Sequence, residues 1–318
     1  MAKPRAILKR RHAVQNIAKI TKTMQMIATA KFKRAFDRAV AARPYTDTLT
    51  SLIGRLAAAA GGFRHPLLEV RKPRRVAVLA VAGNRGLCGG YNSNVGRELS
   101  AFRTRMAARG VEVEVHACGK KLGGMLRYQK VEVAALHKEF EDKPAYEAVD
   151  ALTSDFLRRY AAGEIDELHV VYTKFESAAR QRATSEQVLP LVLPGAAGAV
   201  VDLFADEPAV ADGWADEGEA PAPAAAPAAD TGGPQVIFEP DAAAILGELL
   251  PRSVRMHVFQ AFLDAAVSEQ TARMVAMKAA TDNARDMIKS LTMLYNRSRQ
   301  TLITTELSEI MGGAAALE

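Results

Sequence analysis

The stretch that comes nearest to a reaction centre is AVAGNRGLCGGYNSN, residues 80–94, a glycine-rich turn between a strand-like run and a helix-like one. Such a turn can cradle a phosphate, because backbone N–H groups converge there at a helix N-terminus. The spacing does not fit that chemistry. Gly83, Gly86, Gly89 and Gly90 do not make GxGxxG, and no Gly-Lys-Ser or Gly-Lys-Thr follows to supply a phosphate-binding lysine. The turn reads as a connection in which glycine serves backbone geometry. The six histidines (His12, His65, His116, His137, His169 and His257) are scattered, and no two share metal-ligand spacing. There is no GxSxG and no HExxH. Cys88 and Cys118 make neither a disulfide framework nor a CxxC pair, and read as small apolar residues of a protein in a reducing compartment. Glu306 with Glu309, and Asp282 with Asp286, read as solvated helix faces. No residue is marked as catalytic, as a cofactor ligand or as a metal ligand.

Charge is more informative. Residues 1–43 carry twelve Lys or Arg and one acid, Asp37, while residues 183–251 carry twelve acids and no Lys or Arg. The basic run PRAILKRRHAVQNIAKITKTMQMIATAKFKRAF, residues 4–36, is a candidate surface for an acidic partner. A nucleic-acid-binding coiled coil is one reading of it. Only Phe32 and Phe36 interleave with the charges, which argues against base stacking. The same basic stretch runs straight into a helical pattern, so a helix is expected there instead of a cleaved leader. No run approaches the ~18 consecutive apolar residues of a membrane span.

The elements that carry these residues follow from periodicity. Residues 1–60 read as a helix, with Ile7, Val14, Ile17, Met24 and Ala28 near heptad spacing and Ile20 and Ile27 widening the stripe. Pro44 is expected to kink or divide it. Residues 74–204 alternate strand and helix. Strands are expected at 75–83, 111–119, 131–136, 167–175 and 188–193, and helices at 94–110 and 145–163. That alternation implies a mostly parallel, doubly wound sheet. Residues 205–234, rich in Ala, Pro, Gly and acids, are expected to be a disordered loop.

A second long helix is expected over 241–311. Its heptad line runs through Met274, Met277, Thr281, Ala284, Ile288, Leu291, Tyr295, Ser298, Leu302 and Thr305, where Ala, Ser and Thr hold four of ten places. A seam built only for tight pairing would be mostly Leu and Ile. The terminal helices are expected to pair with each other. The fold class is therefore α/β, a long antiparallel coiled coil of the N- and C-terminal helices plus a central Rossmann-like doubly wound domain.

Several separated motifs then carry a resemblance. SEQTARMVAMKAATDNARDMI and LYNRSRQTLITTELSEIMGGAAAL near the C-terminus, ITKTMQMIATAKFKRA at 20–35, RGLCGGYN at 85–92, PLLE at 66–69 and YTKFES at 172–177 resemble the γ subunits of F-type ATP synthases. The resemblance covers nearly the whole chain. It implies a non-catalytic shaft inside a ring of three α and three β subunits, resting with the ε subunit on a membrane c ring. It also implies a peripheral membrane protein on the cytoplasmic face of the bacterial plasma membrane, with no cofactor of its own.

Residue by residue, the resemblance implies ring contacts by Met24 with Lys22, Lys31, Lys33 and Arg34, and by Arg273, Arg299, Gln300, Thr304 and Glu309. Arg299 and Gln300 match the family's catch, which hydrogen-bonds one β subunit in one orientation. VIFEPD, residues 236–241, is similar to the segment facing the c ring and implicates Phe238 and Glu239. The long acidic segment 205–234 departs from the family pattern, where the equivalent loop is short.

Overall fold

Arg75–Val81 (β1) is the reason the sheet sits where it does. After Arg75 every residue of RVAVLAV is apolar and buried, which is the pattern of a strand covered on both faces. It pairs in parallel with Glu112–Cys118 (β2) on one side and with Glu167–Phe175 (β4) on the other. Ala135–His137 (β3) extends the sheet beyond β2 in parallel, and Gln181–Leu189 (β5) closes the far edge antiparallel to β4, giving the order β3-β2-β1-β4-β5. These facts come from a computed structural model of the chain, which describes residues 4–59, 64–140, 143–191 and 241–315.

Alternate residues of the sheet feed two cores. Val76, Val78, Ala80 and Val171 pack with Val95, Leu99, Phe102 and Met106 of Tyr91–Ala108 (α2) and with Leu122 and Leu126 of Lys120–Tyr128 (α3). Ala77, Leu79, Leu168 and Val170 face the other way, onto Val149, Phe156 and Tyr160 of Tyr146–Ala161 (α4). The same core takes Leu49, Ile53 and Leu56 from the long helix Pro4–Ala59 (α1), and Leu246, Leu250, Val254 and Phe262 from the longer helix Ala242–Ala315 (α5). Each terminal helix therefore serves twice along its length.

The described chain divides into two compact units. One comprises Ala35–Asn84 with Asn92–Ser268, and the other Met1–Arg34, Arg85–Tyr91 and Glu269–Glu318. The second is the coiled coil with the glycine turn. Along α1 the covered positions are Ile7, Val14, Thr21 and Ala28, with Arg11, Ala18 and Gln25 half-buried between them. Along α5 they are Met277, Thr281, Ala284 and Leu291, with Met274, Ile288, Tyr295 and Ser298 half-buried. Ile7 and Val14 share a cluster with Ala284, Leu291 and Tyr295, while Thr21 meets Thr281, so the helices run antiparallel. The Arg11 guanidinium lies 5.7 Å from the centre of the Tyr295 ring.

The differences from the sequence reading have physical causes. Pro44 divides nothing: α1 is continuous through it, with Pro44 itself on the exposed side. Ile17 does not sit in the seam, and Ile20 and Ile27 do not widen it; they are 52%, 59% and 52% exposed. Smaller residues, Ala18, Thr21 and Ala28, face the partner helix because they allow close approach. The heptad line of α5 is covered as far as Ser298, but Leu302 and Thr305 are exposed. Counted from the Thr21–Thr281 layer, α1 has reached its first turn by that point. The strand expected at 188–193 is instead β5, which begins at Gln181, and the strand expected at 131–136 shortens to β3. Helix α3 was not anticipated at all. Its nine residues, KKLGGMLRY, hold two glycines and too few apolar positions for a period to stand out.

Candidate functional site

The glycine turn is framed by side-chain bonds from two asparagines. Its Gly83 N–H donates to Asn92 Oδ1 at 2.9 Å, and Asn84 ties the strand end to its surroundings. Asn84 Nδ2 donates to the Phe140 carbonyl at 2.8 Å, and its Oδ1 accepts the Lys120 N–H at the start of α3 at 2.9 Å. These bonds tie together the loops that follow the carboxyl ends of β1 and β2. Gly119 has φ +102°, and a Cβ there would lie 2.3 Å from the Ala82 carbonyl oxygen, so only glycine fits. Gly89, at φ +56°, lets the turn pass Ala276 of α5, 3.8 Å from where its Cβ would be. Beside it Cys88 and Tyr91 are buried, and burial raises the Tyr91 hydroxyl well above its ordinary pKa.

The titratable groups of the α/β body are paired structurally. His116 Nε2 lies 2.7 Å from Glu114, which also takes two bonds from Arg159, at 2.6 and 3.0 Å. His169 lies 2.8 Å from Glu167, and His137 3.1 Å from Glu139. Burial lowers the pKa of His116 and His257 and raises that of the Cys118 thiol well above its usual value. Asp264 on α5 is 7% exposed; burial, opposed by Arg43, pushes its carboxyl up to about 7. Among the described residues no group of three His, Cys, Asp or Glu could hold a metal ion.

The residues singled out from the sequence fall on two stretches of coiled-coil surface. On α1, Lys22, Lys33 and Arg34 are exposed, and Met24 and Lys31 half-buried. Lys22 Nζ donates to Gln25 Oε1 at 3.4 Å, one turn further along the same helix. On α5, Arg299, Gln300, Thr304 and Glu309 are exposed, and the Thr304 hydroxyl donates to the Gln300 carbonyl at 2.9 Å. Leu302, Ile303, Leu307, Ile310 and Met311 are exposed beside them, which makes the end of α5 apolar as well as polar. Asp282 and Asp286 pair with Arg285 and Lys289 at 3.2 and 3.4 Å on an open face.

Arg273 stands apart from these. It is 8% exposed and donates to Glu269 Oε1 at 2.5 Å. Phe238 and Glu239 lie outside the described residues, as does the segment 205–234.

One group escaped the sequence reading. Ser268, Glu269, Gln270 and Thr271 are at most 8% exposed, so α5 is covered on every side over one polar turn. The Ser268 hydroxyl donates to the Thr173 carbonyl at 3.1 Å. Four consecutive polar residues read as solvent-facing in any periodic analysis.

A long antiparallel coiled coil of the terminal helices and an α/β body with a mostly parallel five-stranded sheet define the class of fold. The sequence model of the ATP synthase family matches residues 3–317, and the chain belongs to that family. It is 44% identical to the ATP synthase gamma chain of Rhodopirellula baltica and 40% identical to that of Leptospira biflexa, over the whole of each chain. Among solved structures it is similar to a chain of the Euglena gracilis mitochondrial ATP synthase rotor. There the TM-score is 0.57 at 18% identity, covering 94% of this chain and 98% of that one. A chain of the same organism's OSCP/F1/c-ring structure gives 0.59 at 17% identity, covering 99% and 94%. These two likenesses establish the fold.

Proposed function

We propose that this chain is the central rotor shaft of an F-type ATP synthase. It couples ion-driven rotation of the membrane c ring to the conformational cycle of the catalytic β subunits, and so to ATP synthesis or hydrolysis. It works with the α and β subunits, the ε subunit and the c ring, and carries out no chemistry of its own. The observation that carries this reading is the coiled coil. Its seam uses small residues, and its outer faces differ from one another: basic with Lys22, Lys33 and Arg34 on α1, mixed polar and apolar around Arg299 to Met311 on α5. A turning shaft can bias a neighbour only if its faces bind that neighbour with different free energies.

Within this reading the ring contacts are Met24, Lys22, Lys31, Lys33 and Arg34 on one helix, and Arg299, Gln300, Thr304 and Glu309 on the other. Exposed ion pairs contribute only about 0–1 kcal/mol each, which suits contacts that break at every step. The Arg299 guanidinium can meet a carboxylate at two points and so select one orientation. Arg273, already held by Glu269, braces α5 from within. Phe238 and Glu239 would face the c ring. No helix among the described residues is long and apolar enough to cross a membrane, and attachment runs through the complex, which we place on the cytoplasmic face of a bacterial plasma membrane.

Reconstitution tests the reading. Added to α and β subunits, the full chain is expected to co-purify with them and support Mg-ATPase activity. Truncation back past Arg299 lowers ATPase and torque together. Normal values after truncation would remove the catch assignment. Salt-sensitive binding to DNA with no affinity for the ring would favour the nucleic-acid reading instead.

A further inference from the structure

The seam contains one layer of a different kind. The hydroxyls of Thr21 and Thr281, 9% and 3% exposed, lie 2.8 Å apart across it. Each has a single proton. Thr281 can donate to Thr21, whose own proton goes to the Ala18 carbonyl at 3.2 Å. In the reverse order Thr21 donates to Thr281, which donates to the Met277 carbonyl at 2.8 Å. Both orders satisfy the two hydroxyls and join helices whose residues are 260 apart in sequence.

The layers towards the open end of the pair cannot choose a register so sharply. Counted from the threonine pair, Ala18 lies level with Ala284 and Val14 with Ile288. Contact among such side chains is non-directional. A slip by one heptad moves a helix about 10.5 Å along its partner, and Ala18, then opposite Met277 or Leu291, still meets an apolar side chain. The slip fails at the threonines. Thr21 would then oppose Met274 or Ile288, and Thr281 would oppose Val14 or Ala28. A single buried polar layer is a known means of fixing coiled-coil register.

We infer that the Thr21–Thr281 hydroxyl pair is the register lock of this coiled coil, holding α1 and α5 against axial slip when the shaft carries load. The inference rests on the rotor reading for the load and on the seam geometry for the lock. Both threonines act as positioning residues, buried against each other.

The test uses the assembled complex. T21V/T281V keeps the side-chain shapes and removes both hydroxyls. The expected result is an assembled complex that hydrolyses ATP at the parent's rate without load, yet slips backwards several times more often near stall. T21S/T281S, which restores the hydroxyls, returns slip to the parent level. A valine pair that slips no more than the parent would overturn the lock. Should the valine pair impair assembly, register is read directly in the full-length chain by disulfide trapping. A18C/A284C reports the native register and A18C/L291C a shifted one. The valines are expected to raise the shifted product several-fold over the threonine background, and an unchanged ratio overturns the lock. Failure of the parent chain to join the ring removes the rotor reading alone, because the trapping ratio still judges the register.

Discussion

The core of the α/β body and the seam of the coiled coil are both buried, yet they are built on opposite rules. The body fills its interior with Phe102, Phe156, Tyr160, Leu79 and Leu168, all at most 2% exposed. The seam uses Ala28, Thr21, Thr281 and Ala284, with a few larger side chains, Ile7, Val14, Met277 and Leu291, between them. Large apolar side chains hold a body to one shape, since close-packed interiors have few alternative arrangements. Small ones let two helices approach closely but give each layer little energy. The first region is a rigid mount and the second a slender axle, whose specificity has to come from particular contacts.

The largest effect that could break this contrast is a cavity in the mount. F156A is expected to cost about 3–5 kcal/mol in a denaturant titration of the full chain. A loss below about 1 kcal/mol would mean that the body is no tighter than the seam. Next comes the buried carboxyl of the mount. Asp264 has its folded pKa raised to about 7 from an ordinary value near 3.8, with desolvation as the main cause. The folded state therefore holds a proton between those values that the unfolded state has lost. Its contribution to stability is full below the lower value and disappears as pH rises through about 7. D264N is expected to flatten that decline and to stabilise the chain at pH 8 by on the order of 3 kcal/mol. An unchanged pH profile would place the titration elsewhere.

Two smaller effects sharpen the axle. L291A is expected to cost about 2 kcal/mol, the low end for a Leu-to-Ala change, and to act locally. Hydrogen exchange should accelerate over residues 277–298 and stay unchanged in β1; acceleration in both would make the two regions one cooperative unit. R299A and Q300A touch exposed side chains, so melting should shift by no more than about 0.5 kcal/mol equivalent. The ATPase of the reconstituted complex is nonetheless expected to fall severalfold. Unchanged ATPase would leave the end of α5 a passive surface.

The two regions also differed in how far the sequence revealed them. Strand β4 was placed residue for residue, because ELHVVYTKF combines β-branched residues with clear boundaries. Strand β5 was misplaced because QRATSEQVL is polar and only half-buried over most of its length, as an edge strand can be. On α5 the seam from Met274 to Ser298 was legible from heptad spacing alone. On α1 Ile7, Val14 and Ala28 of the expected line are covered, but apolarity also drew in Ile17, Ile20 and Ile27, which are exposed. Hydrophobicity ranks residues by the surface they can hide, whereas a close helix pair ranks them by how little space they occupy. The buried turn Ser268–Thr271 was illegible for a related reason: its residues are polar, yet all four are buried, and Ser268 is bonded to Thr173, far away in sequence.

The central claim is that this chain turns inside a ring. Tyr128, 89% exposed on the body, is a site for a probe through Tyr128→Cys, with the α and β subunits fixed to a surface and ATP supplied. The account predicts continuous one-way rotation of the probe that stops when ATP is removed. A probe that stays still while the same complex hydrolyses ATP at full rate would contradict it.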